Sequence, residues 1–228
     1  RKSDAGSHRR MSTPMEYPKI QSVYLRDPAT KFKTFLTGQW TKEEFGYLAG
    51  LDWTWTEKID GTNVRVIWKG DLGLFPRFMG KTNKAILPPL LLGDLQRAFT
   101  IASLTKCFDG PAILYGEGYG AGIQKGGGLY RSDAGFILFD VFCGGVWLTR
   151  ESVEDIAKKL CIPTVPIAGV GTLASAIDLA KEGFKSLIAQ AREAEGLVMR
   201  PAFGLRDRNG NRIITKVKHK DFTAETRQ

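Results

Sequence analysis

The run 57–63, with the sequence Glu-Lys-Ile-Asp-Gly-Thr-Asn, lies between two segments in which apolar and polar side chains alternate. A period of two is typical of strands with one buried face, so the alternation predicts strands at 52–58 and 63–69, joined as a hairpin. Gly61 would supply a positive φ at the turn without steric cost. Such a turn would hold the amine of Lys58 in place, but an ordinary exposed hairpin fits these residues equally well.

The order of the predicted elements favours a mixed fold. Apolar runs predict further strands, and apolar residues at helical spacing predict helices after Pro88-Pro89 and after Thr149. Most consecutive strands look like antiparallel hairpins, which favours an α+β domain of antiparallel sheets with flanking helices over a doubly wound parallel sheet. The further strands are expected at 113–118, 136–142, 196–200 and 212–218, and the helices at 90–104, at 150–160 and within 172–192.

A glycine-rich stretch, 116–128, separates two of these strands. It fits a flexible surface loop. It also fits a mobile element over a nucleotide or RNA, because Lys125 and neighbouring aromatic side chains could contact a strand.

The chain has 228 residues and a formal net charge of +9. This length suits one large domain or two small ones. Residues 1–10 hold four basic residues and one acidic residue and look like an expression-tag remnant, so we expect a single domain over 11–228. Residues 206–228 hold seven Lys and Arg against three Asp and Glu. Such a basic surface attracts polyanions, nucleic acid first among them.

Cysteine and histidine usage argues against several kinds of site. The three cysteines, Cys107, Cys143 and Cys161, are far apart, and the histidines are His8 and His219. This pattern disfavours a structural zinc site and a disulfide framework, and it leaves lysine, carboxylates or a metal to do chemistry. No apolar run has the length of a membrane span. We therefore expect no membrane association and a cytoplasmic location.

Five further segments carry charged or aromatic side chains at strand ends or inside apolar strands. Taken singly, each has an ordinary explanation, such as a solvated glutamate, a core phenylalanine or an edge strand protected by lysine. Their joint occurrence in this order is not explained in that way. The segments are Gly-Lys-Thr-Asn-Lys at 80–84, Leu-Tyr-Gly-Glu-Gly at 114–118, Phe-Ile-Leu-Phe-Asp-Val at 136–141, Glu-Gly-Leu-Val-Met at 195–199 and Ile-Thr-Lys-Val-Lys at 214–218.

Together with the run 57–63, these segments resemble motifs I, Ia, III, IIIa, IV and V of the covalent nucleotidyltransferase superfamily of polynucleotide ligases and capping enzymes. Within it, they are most similar to the phage-type, T4 RNA ligase two-like RNA ligases. The resemblance extends from Glu57 to Lys218. It implies an antiparallel-sheet adenylation domain of an ATP-dependent RNA ligase. Such an enzyme forms a lysyl-AMP, transfers the AMP to a 5′-phosphate end and seals that end to a 3′-OH.

The resemblance implies roles on the phosphate side of a nucleotide site, with ATP and Mg²⁺ (or Mn²⁺) as cofactors. Lys58 would attack the α-phosphate of ATP, and Glu195 would hold the metal. Lys216 and Lys218 would neutralise the phosphates, and Lys81 would contact phosphate or ribose. A lysine amine has an ordinary pKa of about 10.4, so nearby ammonium groups and a divalent cation are needed to disfavour the protonated form.

The resemblance also implies the side chains that hold the nucleoside. Glu117 would accept hydrogen bonds from the ribose hydroxyls, and Phe139 would stack on the adenine ring. Glu57 and Ile59, which flank Lys58, are expected to bind in the same nucleotide pocket.

Two polar residues of the second predicted strand complete the expected site. Asn63 matches a position that helps to engage the phosphate to be sealed. Strand alternation puts Asn63 and Arg65 on one face, opposite Val64 and Val66. We therefore expect Arg65 to point into the pocket and to bind a phosphate.

Ten residues follow Lys218, so we expect no C-terminal OB-fold or appended RNA-binding domain of the kind that larger relatives carry. Other functions of the same scaffold stay open: a DNA ligase or GTP-dependent capping core, or a catalytically inert RNA-binding protein. The expected partners are RNA ends, a 5′-phosphate and a 3′-OH, including those of a nicked duplex. We expect the protein to be a monomer.

Overall fold

The computed structural model describes residues 15–70 and 75–223, so the tag remnant expected at 1–10 lies outside the described residues. The described strands are β1 (Gln21–Ser22), β2 (Tyr24–Arg26), β3 (Phe35–Trp40), β4 (Trp53–Glu57), β5 (Thr62–Trp68), β6 (Arg77–Gly80), β7 (Ala112–Gly120), β8 (Ala134–Cys143), β9 (Val146–Trp147), β10 (Ile167–Gly171), β11 (Gly196–Pro201) and β12 (Thr215–Lys218). The helices are α1 (Glu43–Tyr47), α2 (Pro89–Ala98), α3 (Ile101–Thr105), α4 (Arg150–Lys159), α5 (Leu173–Glu182) and α6 (Lys220–Thr223).

Two five-stranded sheets form the framework. The first sheet has the strand order β1-β12-β11-β4-β10, and the second sheet has the order β6-β5-β7-β8-β9. Strands β2 and β3 form a two-stranded sheet. Except for the parallel pair β1 and β12, neighbouring strands are antiparallel. The expected α+β class with antiparallel sheets is confirmed.

The strands on either side of Lys58 belong to different sheets, so the predicted hairpin is wrong. β4 pairs with β10 and β11 in the first sheet, whereas β5 pairs with β6 and β7 in the second sheet. Alternation predicted both strands, but a period of two carries no information about the strand with which each one pairs. Residues 58–61 therefore form a crossover between the two sheets, and Lys58 is its first residue.

Each five-stranded sheet packs one face against helices, and its other face is directed towards the other five-stranded sheet. The buried face of the first sheet packs with α1 and α5, and that of the second sheet packs with α2, α3 and α4. Because side chains alternate along a strand, the residues between the buried ones lie on the opposite face of each sheet. The buried residues include Trp53, Trp55, Leu197, Met199 and Val217 in the first sheet and Val64, Val66, Leu114, Leu138 and Val141 in the second.

The helices differ from the expected ones in two places. The helix expected at 90–104 is two helices, because Phe99 leaves the helical conformation and Thr100 caps α3. Within 172–192 only α5 is helical, and Gly183, with φ of 82°, follows its last residue. α4 begins after Thr149, as expected. Among the described residues, no helix is long and apolar enough to cross a membrane.

Gly61 is required by close packing and not by its φ, which is not positive. A Cβ atom added there would lie 2.2 Å from the carbonyl oxygen of Gly118 and 2.8 Å from Cγ of Glu117. We expect Gly61→Ala to lower the free energy of unfolding by about 1–3 kcal/mol, because the crossover or β7 has to move. Urea denaturation measures the loss. Gly50→Ala is the control, since nothing lies within 4 Å of a Cβ there; equal losses in the two variants would contradict the prediction.

Candidate active site

A pocket of about 360 Å³ lies between the two sheets, beside the crossover. Its lining comes from both sheets, from the crossover and from residues 17–20. Of the residues expected in the site, the lining includes Glu57, Lys58, Ile59, Asn63, Lys81, Glu117, Phe139 and Lys216. The expected residues outside the lining are Arg65, Glu195 and Lys218.

Strand register brings Glu195 next to Lys58, although 137 positions separate them in sequence. The backbone amide of Lys58 donates to the carbonyl of Gly196 at 2.9 Å, and Gly196 lies opposite Lys218 in the β11–β12 pair. As a result, Glu195 Oε2 lies 2.6 Å from Lys58 Nζ, and Glu195 Oε1 lies 2.5 Å from Lys218 Nζ. One carboxylate thus bridges two ammonium groups.

This bridging carboxylate is largely withdrawn from water, with 13% of the Glu195 side chain exposed against 23% for Lys58. Burial by itself would raise the pKa of Glu195, but the positive charges of Lys58 and Lys218 hold the pKa below its ordinary value. Glu195 is therefore an anion at neutral pH. Its charge offsets part of the positive charge that the lysines of this region bring together.

Lys216 lies on the pocket face of β12, two residues before Lys218. Burial, together with the positive charges of Lys58, Lys218 and Lys81, lowers the pKa of Lys216 to about 8, against the opposing effect of Glu195. Near Lys216, the pocket thus contains more positive charge than its carboxylates balance. An anionic group bound there would relieve the repulsion among these ammonium groups.

Glu117 and Asn63 face each other across the β5–β7 pair and line the pocket from the second sheet. Burial, with a further contribution from the charges of Glu195 and Asp60 and against the opposing charge of Lys58, raises the pKa of Glu117 to about 7. Asn63 Oδ1 is buried without a hydrogen-bond partner among the described residues. Both side chains therefore present polar atoms that a bound polar molecule could satisfy.

Phe139 is directed into the pocket by a β-bulge. Tyr115 pairs with Asp140 and Gly116 pairs with Leu138, so Phe139 is the extra residue on β8. A bulge bends the strand and redirects the side chain of the extra residue. Together with Ile59 of the crossover, Phe139 forms part of an apolar cluster that lies at the pocket.

Two of the expected side chains, those of Arg65 and Glu57, are held by hydrogen bonds within the fold. Arg65 is 0% exposed, donates to the carbonyl of Gly80 at 2.9 Å and to Asn83 Oδ1 at 3.0 Å, and does not line the pocket. It holds the segment that carries Lys81, so the expectation that Arg65 points into the pocket is wrong. Glu57 lines the pocket, but its carboxylate is buried and accepts a hydrogen bond from the amide of Leu187 at 2.7 Å.

A strap formed by residues 15–20 completes the pocket and was not expected from the sequence. The Tyr17 hydroxyl donates to Asp140 Oδ2 at 2.6 Å, and its ring lies edge-on to Phe139, with the centroids 5.1 Å apart. Asp140 is 0% exposed and also pairs with Arg200 at 2.9 Å and with Arg212 at 2.7 Å. This cluster ties the strap, the second sheet and the β11–β12 connection together. Asp140 was visible in the sequence as an acid inside an apolar strand, but its partners are distant in sequence.

The glycine-rich stretch, together with Tyr130 and Arg192 outside it, contacts the crossover, which neither sequence interpretation anticipated. Gln124 Nε2 donates to the carbonyl of Gly61 at 3.0 Å, and the amide of Asp60 donates to the Tyr130 hydroxyl at 3.2 Å. Arg192 pairs with Asp60 at 2.6 Å and lies over the Tyr130 ring at 4.2 Å. These contacts fix the backbone that follows Lys58.

The described part of the chain contains no group of three or more His, Cys, Asp or Glu side chains able to hold a metal ion. A metal bound by protein ligands alone therefore does not fit these residues. Hard cations such as Mg²⁺ are often held by one or two carboxylates together with water and substrate phosphates. Glu195, an anion among lysines that suit phosphates, fits this second kind of site.

A protein-family model described as RNA ligase matches residues 51–218 of the chain. No curated protein gives a significant match. Solved structures of a Naegleria gruberi RNA ligase have a similar fold. The structure with PPi has a TM-score of 0.64 at 18% identity, over 98% of this chain and 63% of that chain.

Two variants of the same Naegleria protein give comparable values. The variant with ATP and Mn has a TM-score of 0.61 at 21% identity, over 78% of this chain and 54% of that chain. The variant with AMP and Mn has a TM-score of 0.62 at 19% identity, over 92% of this chain and 59% of that chain. At these identities the likeness is one of fold, and the chain spans 54–63% of the length of these structures.

Proposed function

The chain belongs to the RNA ligase family, and we propose that it is an ATP-dependent RNA ligase whose nucleophile is Lys58. The observation that carries this proposal is that Lys58, Glu117, Phe139 and Lys216, from four separate segments, line one pocket. The Naegleria structures of similar fold contain ATP, AMP and Mn, which supports ATP and a divalent cation as cofactors. The substrates are RNA ends, a 5′-phosphate and a 3′-OH.

In the first step, the amine nitrogen of Lys58 forms a bond to the α-phosphorus of ATP, and the bond from that phosphorus to the pyrophosphate oxygen breaks. The Lys58 ammonium, whose side chain is 23% exposed, first loses a proton to solvent water, because an ammonium nitrogen has no lone pair. Lys216 and Lys81 supply positive charge that stabilises the phosphoryl oxygens and the leaving pyrophosphate. A divalent cation held by Glu195 would act as a Lewis acid on the same oxygens.

The second and third steps reuse the same pocket. The RNA 5′-phosphate takes the AMP from Lys58, which breaks the nitrogen–phosphorus bond and restores the amine. The RNA 3′-OH then attacks the 5′-phosphorus, forms the phosphodiester and releases AMP. Throughout, Phe139 stacks on adenine, and Glu117 accepts hydrogen bonds from the ribose hydroxyls. Positioning by these side chains supplies much of the rate, since phosphoryl transfer needs little covalent help from the protein.

Intact-mass measurement tests the proposal directly. The wild-type protein is incubated with Mg²⁺ or Mn²⁺ and with ATP, GTP or NAD⁺ in separate reactions. We expect a mass increase of one AMP with ATP and none with GTP. A GMP adduct would assign the chain to capping chemistry, and an AMP adduct from NAD⁺ alone would assign it to NAD⁺-dependent ligation. A protein unchanged by all three nucleotides would support an inert RNA-binding function.

Glu195→Gln is expected to slow formation of the AMP adduct by about 100-fold, or roughly 3 kcal/mol of transition-state stabilisation. The amide keeps the shape of the side chain but removes the charge that would hold the cation. Single-turnover mass measurements at saturating ATP give the rate. Glu193→Gln is the matched control, because Glu193 lies two residues earlier and forms an exposed ion pair with Lys185. Equal rates in the two variants would count against a role for Glu195 in the first step.

A further inference from the structure

A second cavity, of about 440 Å³, lies next to the proposed active site and is lined by Arg26, Lys33, Lys218, Lys220 and Asp221. We call it the basic cavity. It shares no residue with the lining of the nucleotide pocket. The two are nevertheless adjacent, because Lys218 contacts Glu195 Oε1 at 2.5 Å and the other oxygen of Glu195 contacts Lys58 at 2.6 Å.

The lining of the basic cavity holds four cationic side chains and one carboxylate, and one of the cations, Lys218, is paired with Glu195 outside the lining. Asp221 is buried, and both of its oxygens are engaged inside the fold. Oδ1 pairs with Arg26 at 2.8 Å, and Oδ2 accepts a hydrogen bond from the amide of Lys218 at 3.1 Å. Asp221 therefore offsets the charge of Arg26. Lys33 and Lys220 are exposed and bring further positive charge to the cavity.

The backbone that presents Lys33 is fixed in an uncommon conformation. Lys31 and Phe32 both have positive φ values, 55° and 61°. Arg26 donates to the carbonyls of Phe32 at 3.3 Å and of Lys33 at 3.5 Å, and its guanidinium lies 5.0 Å from the ring centroid of Phe35. Non-glycine residues keep such φ values only where their surroundings enforce them, and these cases cluster at ligand sites. Arg26 thus holds in place both Asp221 and the loop that carries Lys33.

We propose that the basic cavity binds a backbone phosphate of the RNA strand whose end is presented to Lys58. The nucleotide pocket has its own cations, Lys58, Lys81 and Lys216, for the phosphates of ATP. The basic cavity adds a separate set of cationic side chains, which lies near Lys58 but outside the lining of the nucleotide pocket. Phosphates along a strand bind such lysines as point charges, independently of base sequence. This assignment rests on the proposed ligase function.

The test compares the double variant Lys33→Ala/Lys220→Ala with the matched variant Lys106→Ala/Lys158→Ala. Lys106 and Lys158 are also exposed, and they belong to the helical layer of the second sheet. Fluorescence anisotropy measures binding of a 3′-labelled single-stranded RNA with a 5′-phosphate, at a series of salt concentrations. Loss of this phosphate contact lowers the slope of log affinity against log salt by about 0.7, which weakens binding about 5-fold near about 0.1 M salt. The matched variant is expected to bind like the wild type.

Three outcomes decide the proposal. Weaker binding with the smaller salt slope in the first variant alone supports it. Equal RNA affinity in the two variants overturns it. If RNA affinity is equal but adduct formation from ATP, and its reversal by pyrophosphate, are slower in the first variant alone, the cavity serves the phosphates of ATP and the RNA assignment is overturned. Absence of any AMP adduct in the wild type would refute the ligase function, while the RNA-binding comparison would still stand.

Discussion

Lys58→Arg is expected to eliminate the AMP adduct while leaving the protein folded. Arginine keeps the positive charge and can pair with Glu195, but its guanidinium stays protonated and cannot act as a nucleophile. The variant therefore keeps the positive charge that forms the ion pair with Glu195 at 2.6 Å and removes the nucleophilic amine of Lys58. Intact mass after incubation with ATP and a divalent cation measures the adduct. Urea denaturation is expected to give a free energy of unfolding within about 1 kcal/mol of the wild type.

The matched control for this experiment is Lys84→Arg. Lys84 is exposed, lies three residues after Lys81 and does not line the pocket. Its replacement is expected to leave the adduct unchanged. An AMP adduct in Lys58→Arg would mean that another lysine is the nucleophile. Lys216 would then be examined first, because burial and its ammonium neighbours bring its pKa to about 8.

Asp140→Ala is expected to lower the free energy of unfolding by about 3–5 kcal/mol, because it leaves two arginines without their counter-charge inside the fold. Asp140 is 0% exposed and accepts from Arg200, Arg212 and the hydroxyl of Tyr17. Urea denaturation measures the effect. Nucleotide affinity should fall as well, since Tyr17 and Arg200 line the pocket.

Asp155→Ala provides the comparison for the Asp140 variant. Asp155 pairs with Lys159 on the exposed face of α4, and both side chains are more than half exposed. Its loss is expected to change the free energy of unfolding by less than about 1 kcal/mol. Adding Arg212→Met to Asp140→Ala should recover part of the loss, because it removes one uncompensated charge. A loss of under about 1 kcal/mol for Asp140→Ala itself would contradict the account of the cluster.

Sequence patterns predicted what is local and failed where distant segments meet. Alternation around Lys58 predicted two strands, yet their pairing in different sheets depends on β7, β10 and β11, which local periodicity does not specify. The same alternation put Arg65 and Asn63 on one face. It could not show that Arg65 would be covered and bound to the carbonyl of Gly80.

The motifs indicated candidate site residues, but the residues that hold these side chains in place were not predicted from the sequence. The motif residues Lys58, Glu117 and Lys216 could be chosen because their types and order resemble a family. Tyr17 and Arg192 had no such signal, since each acts through contacts with residues that are distant in sequence, such as Asp140 and Asp60. Contacts of this kind leave no periodic trace in a single sequence.

The two sheets bring different groups to the pocket, and this division has a consequence for how the protein could be altered. The second sheet supplies Phe139 and Glu117, and the first sheet supplies Lys216. Under the proposed function, base preference and phosphoryl chemistry are then separately adjustable traits. A library of substitutions confined to β7 and β8, which leaves Lys81 after β6 and Lys216 of β12 unchanged, is expected to shift the preferred triphosphate while the reaction itself is retained. The crossover is the exception, because it connects the two sheets and a displacement there moves the strands of both.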